Sequence, residues 1–154
     1  MNLFLLSFII HYGTLTVSSE GFNHYIPSKY TCEGAGVNPP LAISGLPENT
    51  RSLVLIIDEP EASGGDFVHW LVWNIPPCGD ISENCIPGTI GKNSLGSIAY
   101  VGPCPAFGKH RFCFTILALN TLLNLPNGAD KEMVEKAADG HILARGVLTA
   151  LYEK

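Results

Sequence analysis

Three segments of the chain carry the apolar patterning of β-strands. Leu53 to Ile57 is an unbroken aliphatic run between Ser52 and Asp58, and a run of about four to eight such residues fits a strand covered on both faces. From His69 to Ile75, strict alternation sets His69, Leu71, Trp73 and Ile75 on one face, and Pro76-Pro77 ends the strand because proline donates nothing to a ladder. His110 to Ala118 is rich in aromatic and β-branched residues, again strand chemistry. Leu15 to Ser19 reads as the first strand. In two of these strands a histidine stands at the end, beside a loop, and two glutamates follow the Leu53 run.

One helix is predicted. Asp130 caps it, Glu132 lies in its first turn, Met133, Val134, Ala137 and Ala138 supply the apolar face, and Gly140 stops it. Ile142 to Tyr152 follows as a final strand, with a second helix as the alternative. The stretch from Pro76 to Tyr100 is full of Gly, Pro, Asn and Ser, and a connection longer than about 15 residues is usually functional or mobile. Several short strands, turn-rich connections and one helix predict a mainly β fold, a two-sheet antiparallel sandwich with peripheral helix.

Composition narrows the classes. The 154 residues suit a single domain, 46% of them apolar and 15% charged, against a usual charged share of about 25%, which excludes a disordered chain. Nine Lys and Arg against fourteen Asp and Glu leave a net charge of -5. Without a basic stripe, nucleic acid is excluded as a partner. Residues 3 to 12, LFLLSFIIHY, are too short for a membrane span of about 20 residues and lack the basic flank and cleavage pattern of a signal peptide. Residues 1–14 are read as an apolar amino-terminal extension, a buried or partner-covered strand or an upstream start, and 15–154 as one domain; a weak export signal is the alternative. The five cysteines (Cys32, Cys78, Cys85, Cys104, Cys113) form no C-x-x-C pair and no zinc spacing. They are expected as free thiols in a cytoplasmic protein; export to the periplasm or beyond would allow Cys78 and Cys85 to bridge.

Three clusters carry candidate chemistry: Asp58-Glu59-Pro60-Glu61, His69-Trp70, and Gly102-Pro103-Cys104-Pro105 leading to His110-Arg111-Phe112. Carboxylates and imidazoles meeting in one pocket suit metal binding, acid/base catalysis, or recognition of a zwitterion or phosphate monoester. A stiff turn at Gly102, where backbone N–H groups can approach an anion, favours the last. Cys104 near His110 suggests a thiol nucleophile, but six residues on a proline-constrained loop do not ensure contact. No G-x-S-x-G, H-E-x-x-H or phosphate-binding loop is present, so hydrolysis is the rival reading. No metal and no cofactor are called for.

The run Ile26-Pro27-Ser28-Lys29-Tyr30-Thr31-Cys32-Glu33-Gly34, then Glu59-Pro60-Glu61-Ala62-Ser63, Phe67-Val68-His69-Trp70 and Gly102-Pro103-Cys104-Pro105 with His110-Arg111-Phe112, resembles the phosphatidylethanolamine-binding protein family in its bacterial and archaeal, Raf kinase inhibitor-like branch. The resemblance spans about residues 15 to 153. It implies a two-sheet antiparallel β-sandwich with Greek-key connections and a few peripheral helices, and a non-enzymatic pocket for phosphate-type anions, phospholipid headgroups included. By position it implies Glu59 and Glu61 for the family's two aspartates, His69 and His110 for its pocket histidines, Gly102 and Pro103 for its anion loop, and Phe112 where a tyrosine is usual. Trp70 and Cys104 are expected to wall the site. A protein partner such as a kinase, and pairing as a homodimer, are further implications.

Overall fold

The computed structural model describes residues 12–154. Within them lie nine strands: β1 (Gly13–Thr14), β2 (Thr16–Ser18), β3 (Leu41–Ser44), β4 (Ser52–Glu59), β5 (Phe67–Ile75), β6 (Asp80–Ile81), β7 (Thr89–Ile90), β8 (Lys109–Leu119) and β9 (Ile142–Glu153). One α-helix, α1 (Lys131–Ala138), and a 3-10 turn at Ser28–Tyr30 complete them. The larger sheet has the order β1-β9-β8-β4-β5-β7 and the smaller β2-β3-β6. Pairing is antiparallel except for β1, which runs parallel to β9 at the sheet edge. The apolar run of residues 3 to 11 lies outside the described residues, while Gly13 and Thr14 of the expected extension join the sheet.

The large sheet is covered on both faces. On one, Leu53, Leu55, Ile57, Trp70, Val72, Phe112, Phe114 and Ile116 meet Leu15, Val17, Leu41, Ile43 and Ile81 of the small sheet's side. On the other, Val54, Ile56, Leu71, Trp73, Leu117 and Leu119 pack with Val134 and Ala138 of α1. Double coverage explains why β4 is aliphatic without alternation: Leu53, Val54 and Leu55 are all fully buried. The Asp130 side chain accepts from Met133 N at 3.0 Å, capping α1. Gly140 follows at φ +79, a left-handed position that glycine takes without strain. Met133, expected on the apolar face, is exposed, and Val134 and Ala138 alone are buried.

The long connection from Pro76 to Tyr100 is not bare loop. β6 pairs with β3 and β7 with β5, stitching it to both sheets. Among the described residues no helix is long and apolar enough to cross a membrane.

One expectation is overturned. Cys32 and Cys104 are joined as a disulfide, with Cα atoms 5.4 Å apart across 72 residues of sequence; Cys78, Cys85 and Cys113 are free. The pairing arises because the Gly102–Pro105 segment crosses the turn at residues 30–32. Cys32 N donates to Pro103 O at 3.1 Å. A Cβ at Gly102 would stand 2.6 Å from Tyr30 O and 2.9 Å from Thr31 Cα, so only glycine lets the two backbones touch.

Candidate functional site

The site begins with a miscount along β5. Ile57 of β4 pairs with Trp70, but Asp58 pairs with Val68, which leaves His69 as an extra residue, a β-bulge. Val68 and Leu71 therefore both pack on the α1 side. His69 turns to the other face, where its ring meets Phe112 edge-on with centroids 5.2 Å apart. A second irregularity lies between Leu53/Ile75 and Leu55/Val72, at Asn74, whose φ is +52. It moves Ile75 to the inter-sheet core with Trp70 and Val72. The predicted common face of His69, Leu71, Trp73 and Ile75 thus holds only for Leu71 and Trp73, because alternation fails at each bulge.

The bulge brings His69 to a cavity of about 300 Å³. Glu59 and Ala62 line it from the end of β4 and the turn beyond, Phe67 from β5, Leu95 from the long connection, and Val101, Gly102, Cys104 and Pro105 from the disulfide-tethered segment. His69 is 4% exposed. Its Nδ1 lies 2.8 Å from Val101 O; a carbonyl oxygen only accepts, so Nδ1 carries the proton and donates. Nε2 is then a bare lone pair in the neutral ring. It is buried and has no hydrogen-bond partner, the nearest charged atom being Glu59 Oε2 at 3.9 Å. Burial holds His69 below the usual histidine value, with the Val101 bond and Glu59 opposing.

His110 is in the opposite state. Its Nδ1 faces Glu59 Oε1 in a short contact, and its Nε2 lies 3.0 Å from Phe107 O. Both partners can accept, an arrangement that favours the doubly protonated ring. The Glu59 hydrogen bond raises its pKa, with burial opposing. Since folding raises this value, the stability the pair contributes is complete below about pH 6.5 and is lost as pH rises through the raised value. In Glu59→Gln, the NMR titration midpoint of His110 is expected to fall back toward about 6.5; an unmoved midpoint would refute Glu59 as the cause.

The remaining expected residues divide. Glu61 points away and pairs with Arg111, Oε1 to NH2 at 2.8 Å, holding its carboxyl below the usual range. It takes no part in the cavity, because Pro60 and the turn after it carry the chain to the outer face. Asp58, on the α1 side, accepts from Lys131 at 2.8 Å, and the same ammonium reaches Asp66 at 2.6 Å. Trp70, expected as a wall, lines a separate cavity with Asn38, Cys85 and Tyr100, whose ring it meets edge-on at 5.7 Å. Phe112 is fully buried and backs His69 from behind. Gly102 and Cys104 do line the cavity, and Pro103 contributes its carbonyl to Cys32. Sequence reasoning missed Val101, whose carbonyl sets the His69 tautomer, and Leu95; neither residue type signals such a role. Among the described residues no group of three or more His, Cys, Asp and Glu side chains is disposed to hold a metal ion.

The chain is thus a mainly β, two-sheet protein in which Glu59 lies between two histidines beside one cavity. The model of the phosphatidylethanolamine-binding protein family matches residues 18–153, and the chain belongs to that family. It is 47% identical over 154 aligned residues to a UPF0098 protein of Pyrococcus horikoshii, covering 92% of this chain and 77% of that one. A UPF0098 protein of Methanothermobacter thermautotrophicus is 42% identical over 150, covering 91% and 99%. The fold superposes with a TM-score of 0.88 on a phosphatidylethanolamine-binding protein homologue of Chlamydia trachomatis, at 37% identity and covering 92% and 99% of the two chains. Escherichia coli YbcL, described as a member of the mammalian family, shares the fold at a TM-score of 0.83 and 24% identity, covering 92% and 99%.

Proposed function

We propose that this chain binds a small phosphate-type oxyanion, free or as a phospholipid headgroup, in the cavity lined by Glu59 and His69 and adjoined by His110, without transforming it. The observation that carries the reading is the His69 Nε2 atom, buried and unpartnered on a residue that lines the cavity. A buried polar atom without a partner costs about 1–3 kcal/mol, a cost that a ligand removes. His110, joined to Glu59 and with its pKa raised by that bond, adds positive charge near the cavity when protonated. Leu95 lines the cavity yet is 65% exposed, offering apolar surface to the body of a ligand.

Calorimetry with O-phosphoethanolamine tests the reading. The wild-type chain is expected to bind, more tightly at pH 5.5 than at pH 8, because a bound anion favours protonation beside it. His69→Ala is expected to lose at least about tenfold, the worth of one hydrogen bond to a charged group. Absence of binding at both pH values, or an unaffected variant, overturns it. Release of inorganic phosphate from the same ligand would instead favour the hydrolase reading.

A further inference from the structure

We infer that the cavity selects an oxyanion that carries a proton, a phosphate monoester in its singly charged form, over oxyanions that cannot hold one. This rests on the binding reading above and names the ligand class within it. The argument starts from Val101 O, which fixes the proton of His69 on Nδ1 and leaves Nε2 as an acceptor. A fully deprotonated oxygen placed against Nε2 would set lone pair against lone pair. It would also approach Glu59 Oε2, only 3.9 Å from Nε2, adding like-charge repulsion. A P–O–H group in the same place donates to Nε2, and one hydrogen bond replaces two repulsions.

The other groups facing His69 do not reverse this. Glu59 on β4 and Asp66 before β5 are both negative. His110 on β8, when protonated, is held on the far oxygen of Glu59. Phe67 and Phe112 present rings, and Cys104 is bound in its disulfide. The alternative, protonating Nε2 to meet an anion, works against the burial that disfavours the charged ring. A phosphate monoester loses its last proton only near pH 6 to 7, so the protonated form is within reach at neutral pH. Sulfate and phosphodiesters have no such proton. The site therefore prefers the free monoester to the headgroup of an intact phospholipid.

Calorimetry on the full chain at pH 7.5 and pH 5 separates the outcomes, with inorganic phosphate, sulfate, O-phosphoethanolamine, glycerophosphoethanolamine and ethanolamine as probes. Phosphate is expected to bind about 10- to 100-fold more tightly than sulfate at pH 7.5, as for one charged hydrogen bond made or unmade. The monoester should exceed the diester by a similar factor, and both gaps should widen at pH 5, where more of the phosphate and of the monoester is singly charged. In His69→Gln, whose amide can both donate and accept, the phosphate-over-sulfate ratio is expected to fall to within about threefold. If that variant fails to fold, the wild-type proton balance decides, read from phosphate and sulfate binding enthalpies in buffers of different ionisation heat at pH 7.5. Net proton uptake with phosphate but not with sulfate supports the inference; uptake with both would place the proton on His69 and overturn it. Equal affinities for phosphate and sulfate, or no proton uptake, overturn it while leaving anion binding in place. Tight binding of ethanolamine alone would make an ammonium the donor to Nε2 and also overturn it. No binding of any probe removes the underlying reading as well.

Discussion

Replacing Cys32 and Cys104 together by serine is expected to lower the free energy of unfolding by about 4 kcal/mol. The bond closes a separation of 72 residues. In the chain-entropy account, loops of about 15 and about 100 residues give roughly 3 and 4.7 kcal/mol, and this one falls between. For a chain of this size that loss lowers the melting temperature by about 10 °C. Urea unfolding of the oxidised chain against the double variant measures it, and a difference below about 1 kcal/mol would show that the crossing of residues 30–32 and 102–105 holds without its bond. The loss should not stay local. Gly102, Cys104 and Pro105 wall the cavity beside His69, so on the proposed reading the double variant should also bind O-phosphoethanolamine more weakly than the oxidised protein.

The second large effect is expected at Phe112. Its ring is fully buried in the inter-sheet core and backs the imidazole of His69. Truncation to alanine removes the buried ring and leaves a cavity, a change that costs about 3–5 kcal/mol. Leucine keeps most of the volume and should cost about 1–2 kcal/mol. The two variants also separate packing from positioning. With alanine the His69 ring loses its support and its NMR titration should move toward the ordinary value of about 6.5 as water gains access; with leucine it should stay depressed. An alanine variant within about 1 kcal/mol of wild type in urea would contradict the packing account.

Most of the sheet was legible because burial writes itself into the chain. β4, β5, β8 and β9 each stand where apolar or aromatic runs predicted them, and Asp130 and Gly140 bracket α1. The short strands β3, β6 and β7 were not legible, since two to four residues carry too little periodicity to distinguish them from loop. Of the candidate residues, Glu59, His69, Gly102 and Cys104 line the one cavity, and His110 adjoins it through Glu59. Glu61 and Trp70 lie apart from the cavity because Glu61 pairs with Arg111 and Trp70 packs on Tyr100, partners 50 and 30 residues on. The Cys32–Cys104 bond and the Val101 carbonyl depend on long-range crossings that local spacing does not encode.

The bulge at His69 gives the cavity an arithmetic as well as a chemistry. Between it and the second irregularity at Asn74, Trp70, Leu71 and Val72 pair in plain register with β4. What aims the imidazole is the presence of two residues opposite one between Trp70 and Val68. Removing any one residue there would leave the strand pairing able to close over the gap while erasing the cavity-lining histidine or returning the chain to plain alternation. The placement of His69 is therefore stored in a length of backbone, and a chain can keep every carboxylate named above and still lose that placement through a one-codon deletion.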